Sequence, residues 1–101
     1  MKVYLDDVRP TPEGWVRAYW PDEVIKLLET GLVTELSLDH DLGDDERGTG
    51  YDVLTWLERA VVDGFRAPDY LRVHSANGPA GDRMMAAMVS IRKLEKGLNT
   101  A

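Results

Sequence analysis

The order of apolar segments along the chain is the feature that most limits what it can fold into. Four short apolar or β-branched segments are typical of strands, and they alternate with three longer segments whose apolar residues recur with helical spacing. The predicted order is β, β, α, β, α, β, α. Strands that alternate with helices predict a parallel α/β sheet covered by helices, and the shortness of the apolar strands agrees with this.

The boundaries of these segments follow from prolines, glycines and apolar spacing. Strands are predicted at Val3–Leu5, Trp15–Trp20, Thr34–Leu38 and Tyr70–Asn77. Helices are predicted at Pro21–Gly31, Gly50–Gly64 and Gly81–Gly97. The segment Arg9–Gly14, which contains two prolines and a glycine, is predicted to be a loop.

Length and composition limit the class of protein. A chain of 101 residues predicts one domain, residues 1–101. No apolar run approaches the ~20 residues of a membrane helix and no leader-like segment is visible, so we expect a cytoplasmic protein. The absence of cysteine excludes disulfides, thiol nucleophiles and cysteine-bound metals. A formal net charge of −6 argues against a broad nucleic-acid-binding face and against binding to anionic membranes.

Polar side chains lie at the carboxyl ends of three of the predicted strands. In chain order these residues are Asp6, Asp7, Asp39, His40, Asp41, His74, Ser75 and Asn77. Because ligands of parallel sheets bind beyond the carboxyl ends of the strands, we expect these side chains to meet at one edge. An alternative that stays open for Asp6 and Asp7 is that they are ordinary turn residues at a solvated strand end. The stretch Gly48–Gly50 is predicted to open a helix rather than to bind phosphate.

Charge repulsion predicts a cation among the acids. Asp6, Asp7 and Asp39 repel one another when strand ends bring them together, which raises pKa values or requires a counter-charge. A hard divalent cation with oxygen ligands meets this requirement, so we expect Mg²⁺ or Mn²⁺, with Asp41 as an additional candidate ligand. Such a cation can receive a phosphate group that the acids would otherwise repel.

The two histidines predict acid–base chemistry beside this cation. An imidazole titrates near neutral pH, and His40 and His74 each follow a short apolar segment. On either side of a phosphodiester, one would draw a proton from water and the other would protonate the leaving oxygen, in an order that stays open. Arg9 is expected to hold the phosphate, with hydrogen bonds from Ser75 and Asn77. The alternative is that both imidazoles are structural.

The acid pair, the third acid and the serine after the fourth strand resemble the receiver domain of two-component signalling. In that family the pair binds Mg²⁺, the third acid accepts a phosphoryl group and a serine or threonine contacts it. The corresponding residues are Asp6, Asp7, Asp39 and Ser75. The chain departs from signalling receivers because it has fewer predicted strands, a loop in place of the first helix, and no lysine after a fifth strand. These departures argue against phosphotransfer.

Four stretches over nearly the whole chain give a narrower resemblance. The stretches "YLDDVRPTPEGW", "SLDHDLG", "GTGYDVLTW" and "VHSAN" are similar to the cyclic-phosphate processing receiver-like domain family. The resemblance implies a truncated receiver-like (flavodoxin-like) fold with sheet order 2-1-3-4 and about three helices. It also implies activity on cyclic phosphate ends, in RNA repair or in conflict between phage and host. The histidines at His40 and His74 set the chain apart from signalling receivers.

The predicted function is a metal-dependent phosphoesterase. It would hydrolyse a cyclic phosphate, on a nucleotide or at an RNA end, to a monoester, so the expected partner is a small phosphorylated substrate. Three alternatives stay open. They are a module that binds a nucleotide or cyclic nucleotide without turnover, a degenerate signalling receiver phosphorylated at Asp39, and an accessory of a partner protein or of a toxin–antitoxin pair.

Overall fold

A parallel sheet organises the chain in a computed structural model, which describes the backbone of residues 1–99 and the side chains of residues 1–97. Within this part, the strands are β1 (Lys2–Leu5), β2 (Val16–Ala18), β3 (Glu35–Leu38) and β4 (Tyr70–Val73). The helices are α1 (Pro21–Glu29), α2 (Gly50–Val62) and α3 (Gly78–Asn99). The last two residues of the predicted domain 1–101 lie outside the described residues.

The order of the strands confirms the predicted topology. Across residues 1–99 the sheet runs β2-β1-β3-β4, and each pairing is parallel. In the central strand, Val3 is in register with Val16 on one side and with Leu36 on the other. With four strands and three helices, the described residues form a truncated receiver-like, flavodoxin-type α/β fold.

The hydrophobic core lies between the helices and one face of the sheet. Alternate residues of the central strands are fully buried in it: Val3, Leu5, Leu36 and Leu38. Leu54 of α2 and Met84 of α3 pack in the same core. The chain crosses the sheet in one direction, from β2 to β3 to β4, so right-handed connections place α1 and α2 on the same face. Tyr4 and Ser37, which pair in register, therefore lie on the opposite face.

Strand β2 is shorter than its aromatic residues suggested. It covers Val16–Ala18 and not the predicted Trp15–Trp20. The ring of Trp15 packs edge-on against Tyr4, with centroids 6.1 Å apart. Trp20 is the residue before α1, with an extended backbone at the helix N-cap. Both tryptophans therefore lie outside the strand, Trp15 before it and Trp20 at the start of α1.

Helix α3 begins earlier than predicted, at Gly78 instead of Gly81. The Oδ1 atom of Asn77 accepts a hydrogen bond of 3.2 Å from the backbone N–H of Ala80, which is the usual contact of an N-cap residue. Pro79 in the first turn agrees with a helix start at this point. Although α3 has 22 residues, neither it nor another helix of the described chain is long and apolar enough to cross a membrane.

Candidate metal and phosphate site

Three carboxylates meet beyond the carboxyl ends of β1 and β3. One oxygen from each of Asp6, Asp7 and Asp39 lies within 4.8 Å of the others. Asp6 and Asp39 are buried, whereas Asp7 is partly exposed. The parallel sheet therefore brings together the three acids that the sequence marked as metal ligands, and Asp7 is the member that contacts solvent.

Close packing against α2 fixes the position of Asp39. The first residue of this helix, Gly50, donates its N–H to the carbonyl oxygen of His40 at 3.1 Å. A Cβ atom on Gly50 would lie 1.8 Å from the carbonyl oxygen of Asp39, so only glycine permits this approach. The prediction that Gly48–Gly50 opens a helix is confirmed, and Thr49 is its N-cap.

Asp6 is held by hydrogen bonds on both of its carboxylate oxygens. Oδ1 accepts from the backbone N–H groups of Val8 and Arg9, both at 2.9 Å. Oδ2 accepts from Nη1 of Arg9 at 2.8 Å and from Nε2 of His74 at 2.9 Å. Burial alone would raise the pKa of Asp6, but the hydrogen bonds, those from Arg9 foremost, hold that pKa well below its usual value. Asp6 is therefore an anion at neutral pH.

The ionised form of Asp39 is the one that its surroundings disfavour. Its Oδ1 accepts a hydrogen bond of 2.9 Å from the N–H of His40, and its Oδ2 lies 3.4 Å from Nη1 of Arg9. The pKa of Asp39 is raised, first by burial and then by the negative charge of Asp6. The repulsion expected from the sequence thus acts on Asp39, while Asp6 is stabilised as a carboxylate.

Arg9 supplies the positive charge between the two buried acids. Its Nη1 contacts Oδ2 of Asp6 and Oδ2 of Asp39, and the hydrogen bond to Asp6 raises the pKa of Arg9 further. The side chain of Arg9 is 38% exposed. Its backbone is held more firmly, because its carbonyl oxygen accepts a hydrogen bond from Nη1 of Arg17.

His74 lies between Asp6 and a serine that the sequence pattern did not mark. Its Nδ1 is 2.7 Å from Oγ of Ser37, and its ring stacks on Tyr4 with centroids 4.3 Å apart. A carboxylate accepts only, so Nε2 carries the hydrogen towards Asp6 and Nδ1 accepts from the Ser37 hydroxyl. Burial lowers the pKa of His74 although Asp6 opposes it, which favours this neutral ring.

His40 belongs to a second hydrogen-bond network. Its Nδ1 is 2.8 Å from Oδ1 of Asp41, and Oδ2 of Asp41 accepts from Nδ2 of Asn77 at 3.3 Å. The bond with His40 lowers the pKa of Asp41. In the described part of the chain, Asp41 is outside the group of three carboxylates, and Nε2 of His40 has no hydrogen-bond partner.

Ser75 and Asn77 hold the loop that leads into α3. Oγ of Ser75 accepts from the N–H of Asn77 at 3.1 Å. The side chain of Asn77 caps α3 through Oδ1 and reaches Asp41 through Nδ2, so it ties the loop after β4 to the loop after β3. Their predicted role as phosphate ligands stays a prediction.

The donor set of the three carboxylates suits a hard divalent cation. Mg²⁺ and Mn²⁺ prefer oxygen ligands, and all three groups offer carboxylate oxygens. The guanidinium of Arg9 also shows that a positive charge fits between Asp6 and Asp39. Asp6, Asp7 and Asp39 are therefore the residues that would hold such an ion.

An open groove of about 1170 Å³ lies elsewhere, beside the start of β4 and the second half of α3. Its lining includes Tyr70, Arg72 and Arg92, and it contains none of the residues predicted for the site. The residues predicted for the site therefore lie outside this groove.

Sheet order and acid cluster together define a truncated receiver-like domain, with an acid pair after β1 and a third acid after β3. The chain belongs to the family of cyclic-phosphate processing receiver domains, whose family model matches residues 1–90. This membership confirms the narrower of the two resemblances seen in the sequence. No curated protein and no solved structure matches the chain.

Proposed function

We propose that the protein is a metal-dependent phosphoesterase that opens a cyclic phosphate, on a nucleotide or at an RNA end, to a monoester. The observation that carries this proposal is the meeting of Asp6, Asp7 and Asp39 within 4.8 Å, beside the guanidinium of Arg9. A site of this composition attracts a divalent cation and, with it, a phosphate group. The family to which the chain belongs supports the cyclic phosphate as the substrate group.

Mg²⁺ or Mn²⁺ is the cofactor in this proposal, held by Asp6, Asp7 and Asp39. The ion would supply positive charge that offsets the charge of the substrate phosphate. Arg9 would add a planar guanidinium, which suits two phosphate oxygens at once. Asp41 was a further candidate ligand, and its hydrogen bond with His40 supports an orienting role for it instead.

His40 is the residue to which we assign proton transfer. Its Nδ1 is held by Asp41, and its Nε2 has no partner among the described residues, so Nε2 is available to a substrate. In the reaction, the oxygen of water bonds to phosphorus and the bond from phosphorus to one ring oxygen breaks. The water gives up a proton and the leaving oxygen gains one, so an imidazole can serve either transfer.

His74 is the second member of the predicted acid–base pair. Both of its ring nitrogens are engaged, with Ser37 and with Asp6, so it would have to leave one of them before it exchanged a proton with substrate. We therefore assign to His74 the positioning of Asp6. The same engagement favours a second candidate function, a module that binds a cyclic nucleotide without turnover, because binding needs the charges of the site but no acid–base pair.

Incubation with 2′,3′-cyclic and 3′,5′-cyclic nucleotides, with and without Mg²⁺ or Mn²⁺, tests the proposal. We expect a metal-dependent monoester product from the wild type and from the Asp69→Asn variant, a control that removes an exposed acid before β4. The Asp39→Asn variant should form none. Binding of the nucleotide without product would decide for the second candidate, and the absence of both binding and product would reject both functions.

A further inference from the structure

The carboxylate of Asp6 has its acceptor positions filled. A carboxylate offers about four lone-pair positions. In the described structure, Asp6 accepts two hydrogen bonds on Oδ1 and two on Oδ2. A cation that binds Asp6 directly must therefore take the place of one of the four donors.

The side chain of Arg9 is the donor that can leave. Two of the other donors are backbone N–H groups, which the turn after β1 fixes in place. The fourth is the ring of His74, which is held by Ser37 and stacked on Tyr4. In contrast, the guanidinium of Arg9 is at the end of a long side chain that is 38% exposed. Solvent can therefore replace the protein around it when it moves.

The backbone of Arg9 stays in place while its side chain moves. Its N–H donates to Oδ1 of Asp6 and its carbonyl oxygen accepts from Nη1 of Arg17. The same Nη1 also lies 3.1 Å from Oγ1 of Thr11, so the loop is tied to β2. A displaced guanidinium thus remains attached next to the cluster, within the length of one side chain.

Charge favours this exchange. The Nη1 atom of Arg9 lies 2.8 Å from Oδ2 of Asp6 and 3.4 Å from Oδ2 of Asp39, so one positive charge stands beside two buried carboxylates. A divalent cation in the same place would neutralise more of that charge than a guanidinium does, and it could also bind Asp7, the third member of the group.

We propose that Arg9 is an exchangeable counter-ion: its guanidinium occupies the place between Asp6 and Asp39 until a divalent cation takes that place, and it then binds the substrate phosphate. The proposal rests on the metal site of the proposed function. It gives that site an order of binding, with metal before phosphate, because the phosphate ligand is not released until the metal arrives.

Calorimetric titration of Mg²⁺ and Mn²⁺ into the wild type and the Arg9→Gln variant tests the exchange. Because the variant lacks the competing cation, it should bind metal about tenfold more tightly. A tenfold change in affinity corresponds to the free energy of one of the weaker hydrogen bonds to a charged group. Arg66→Gln is the matched control, since it changes the net charge equally and its partner Asp69 lies far from the cluster, before β4. The control should bind metal as the wild type does.

Binding of inorganic phosphate in saturating Mg²⁺ tests the second half of the proposal. Arg9→Gln should bind phosphate at least about tenfold more weakly than the wild type, since a charge-assisted contact is lost. Arg66→Gln should again be unchanged. The opposite directions of the two effects separate exchange from a general loss of structure, which would weaken both.

A measurement on the wild type makes the test independent of how the variants fold. Nuclear magnetic resonance of the arginine side chains during an Mg²⁺ titration should show the Arg9 signals shifting in step with metal binding. Unchanged Arg9 signals, or equal or weaker metal binding by Arg9→Gln, would overturn the exchange and leave the metal site intact. Absence of metal binding by every protein would overturn the exchange together with the metal-dependent function.

Discussion

Nε2 of His74 lies 2.9 Å from Oδ2 of Asp6, although 68 positions of the chain separate the two residues. The contact joins the end of β4 to the end of β1. It makes His74, one of the two predicted acid–base residues, a support for the predicted metal ligand Asp6. His40 donates its backbone N–H to Asp39, but its ring hydrogen-bonds Asp41, which is outside the group of three carboxylates. The same substitution should therefore have different effects at the two histidines.

His74→Ala should lower the stability of the protein. The substitution removes one of the four hydrogen bonds to Asp6, removes the hydrogen bond between His74 and the Ser37 hydroxyl, and deletes the ring that stacks on Tyr4. We expect the free energy of unfolding to fall by about 2 kcal/mol, as measured by urea denaturation. A free energy of unfolding equal to that of the wild type would contradict the supporting role.

His40→Ala should lower turnover of a cyclic nucleotide by ~10²–10⁴-fold, the usual contribution of a positioned acid or base. Its bond to Asp41 is largely exposed, but the His40 side chain itself is 16% exposed, so we expect the free energy of unfolding to fall by about 1 kcal/mol. The kcat of the refolded variant is the measurement. His40→Ala with wild-type kcat would remove His40 from the mechanism.

Mg²⁺ or Mn²⁺ should raise the melting temperature of the protein. A ligand bound only by the folded state adds about 2.7 kcal/mol at a free concentration ~100 times its Kd, or about 10 °C for a domain of this size. Asp7→Asn is the informative variant, since Asp7 is the partly exposed member of the group and its loss should reduce the shift. No shift at millimolar metal would speak against the site.

Asp39→Asn should stabilise the metal-free protein at neutral pH. Burial and the charge of Asp6 raise the pKa of Asp39, so the folded protein binds this proton more tightly than the unfolded chain does. The ionised carboxylate therefore costs stability at every pH above its folded-state pKa. The advantage of the variant should shrink as the pH falls towards 3.8, the ordinary value. Thermal unfolding from pH 7 to about pH 4 measures this, and a variant less stable at pH 7 would contradict it.

Gly50→Ala should destabilise the protein by about 3 kcal/mol, because the new Cβ would lie 1.8 Å from the carbonyl oxygen of Asp39. Gly81→Ala is the control within a helix, where the added Cβ would lie 3.8 Å from Cγ1 of Val73. That change should be neutral or stabilise by ~0.5–1 kcal/mol. Equal effects in a denaturant titration would refute the close approach of α2.

The topology and the acid trio could be predicted because both depend on spacing along the chain. Alternating strand and helix patterns define the sheet, and the carboxyl ends of parallel strands lie at the same edge of the sheet whatever the side-chain conformations are. The role of Ser37 could not be predicted in this way, although it is a polar residue between two leucines of β3. Its bond to His74, like that of Arg9 to Asp39, depends on side-chain rotamers, which no residue pattern specifies.

The hydrogen bond between Arg9 and Asp6 also bears on how the domain folds. The two residues are three positions apart, so their contact closes a very short loop at little cost in chain entropy. Asp39 and His74 reach Asp6 only after β3 and then β4 join the sheet, which are contacts of much greater sequence separation. Of the side-chain contacts of Asp6, the one with its counter-ion therefore requires the least ordering of the chain, and those with the later strands require the most.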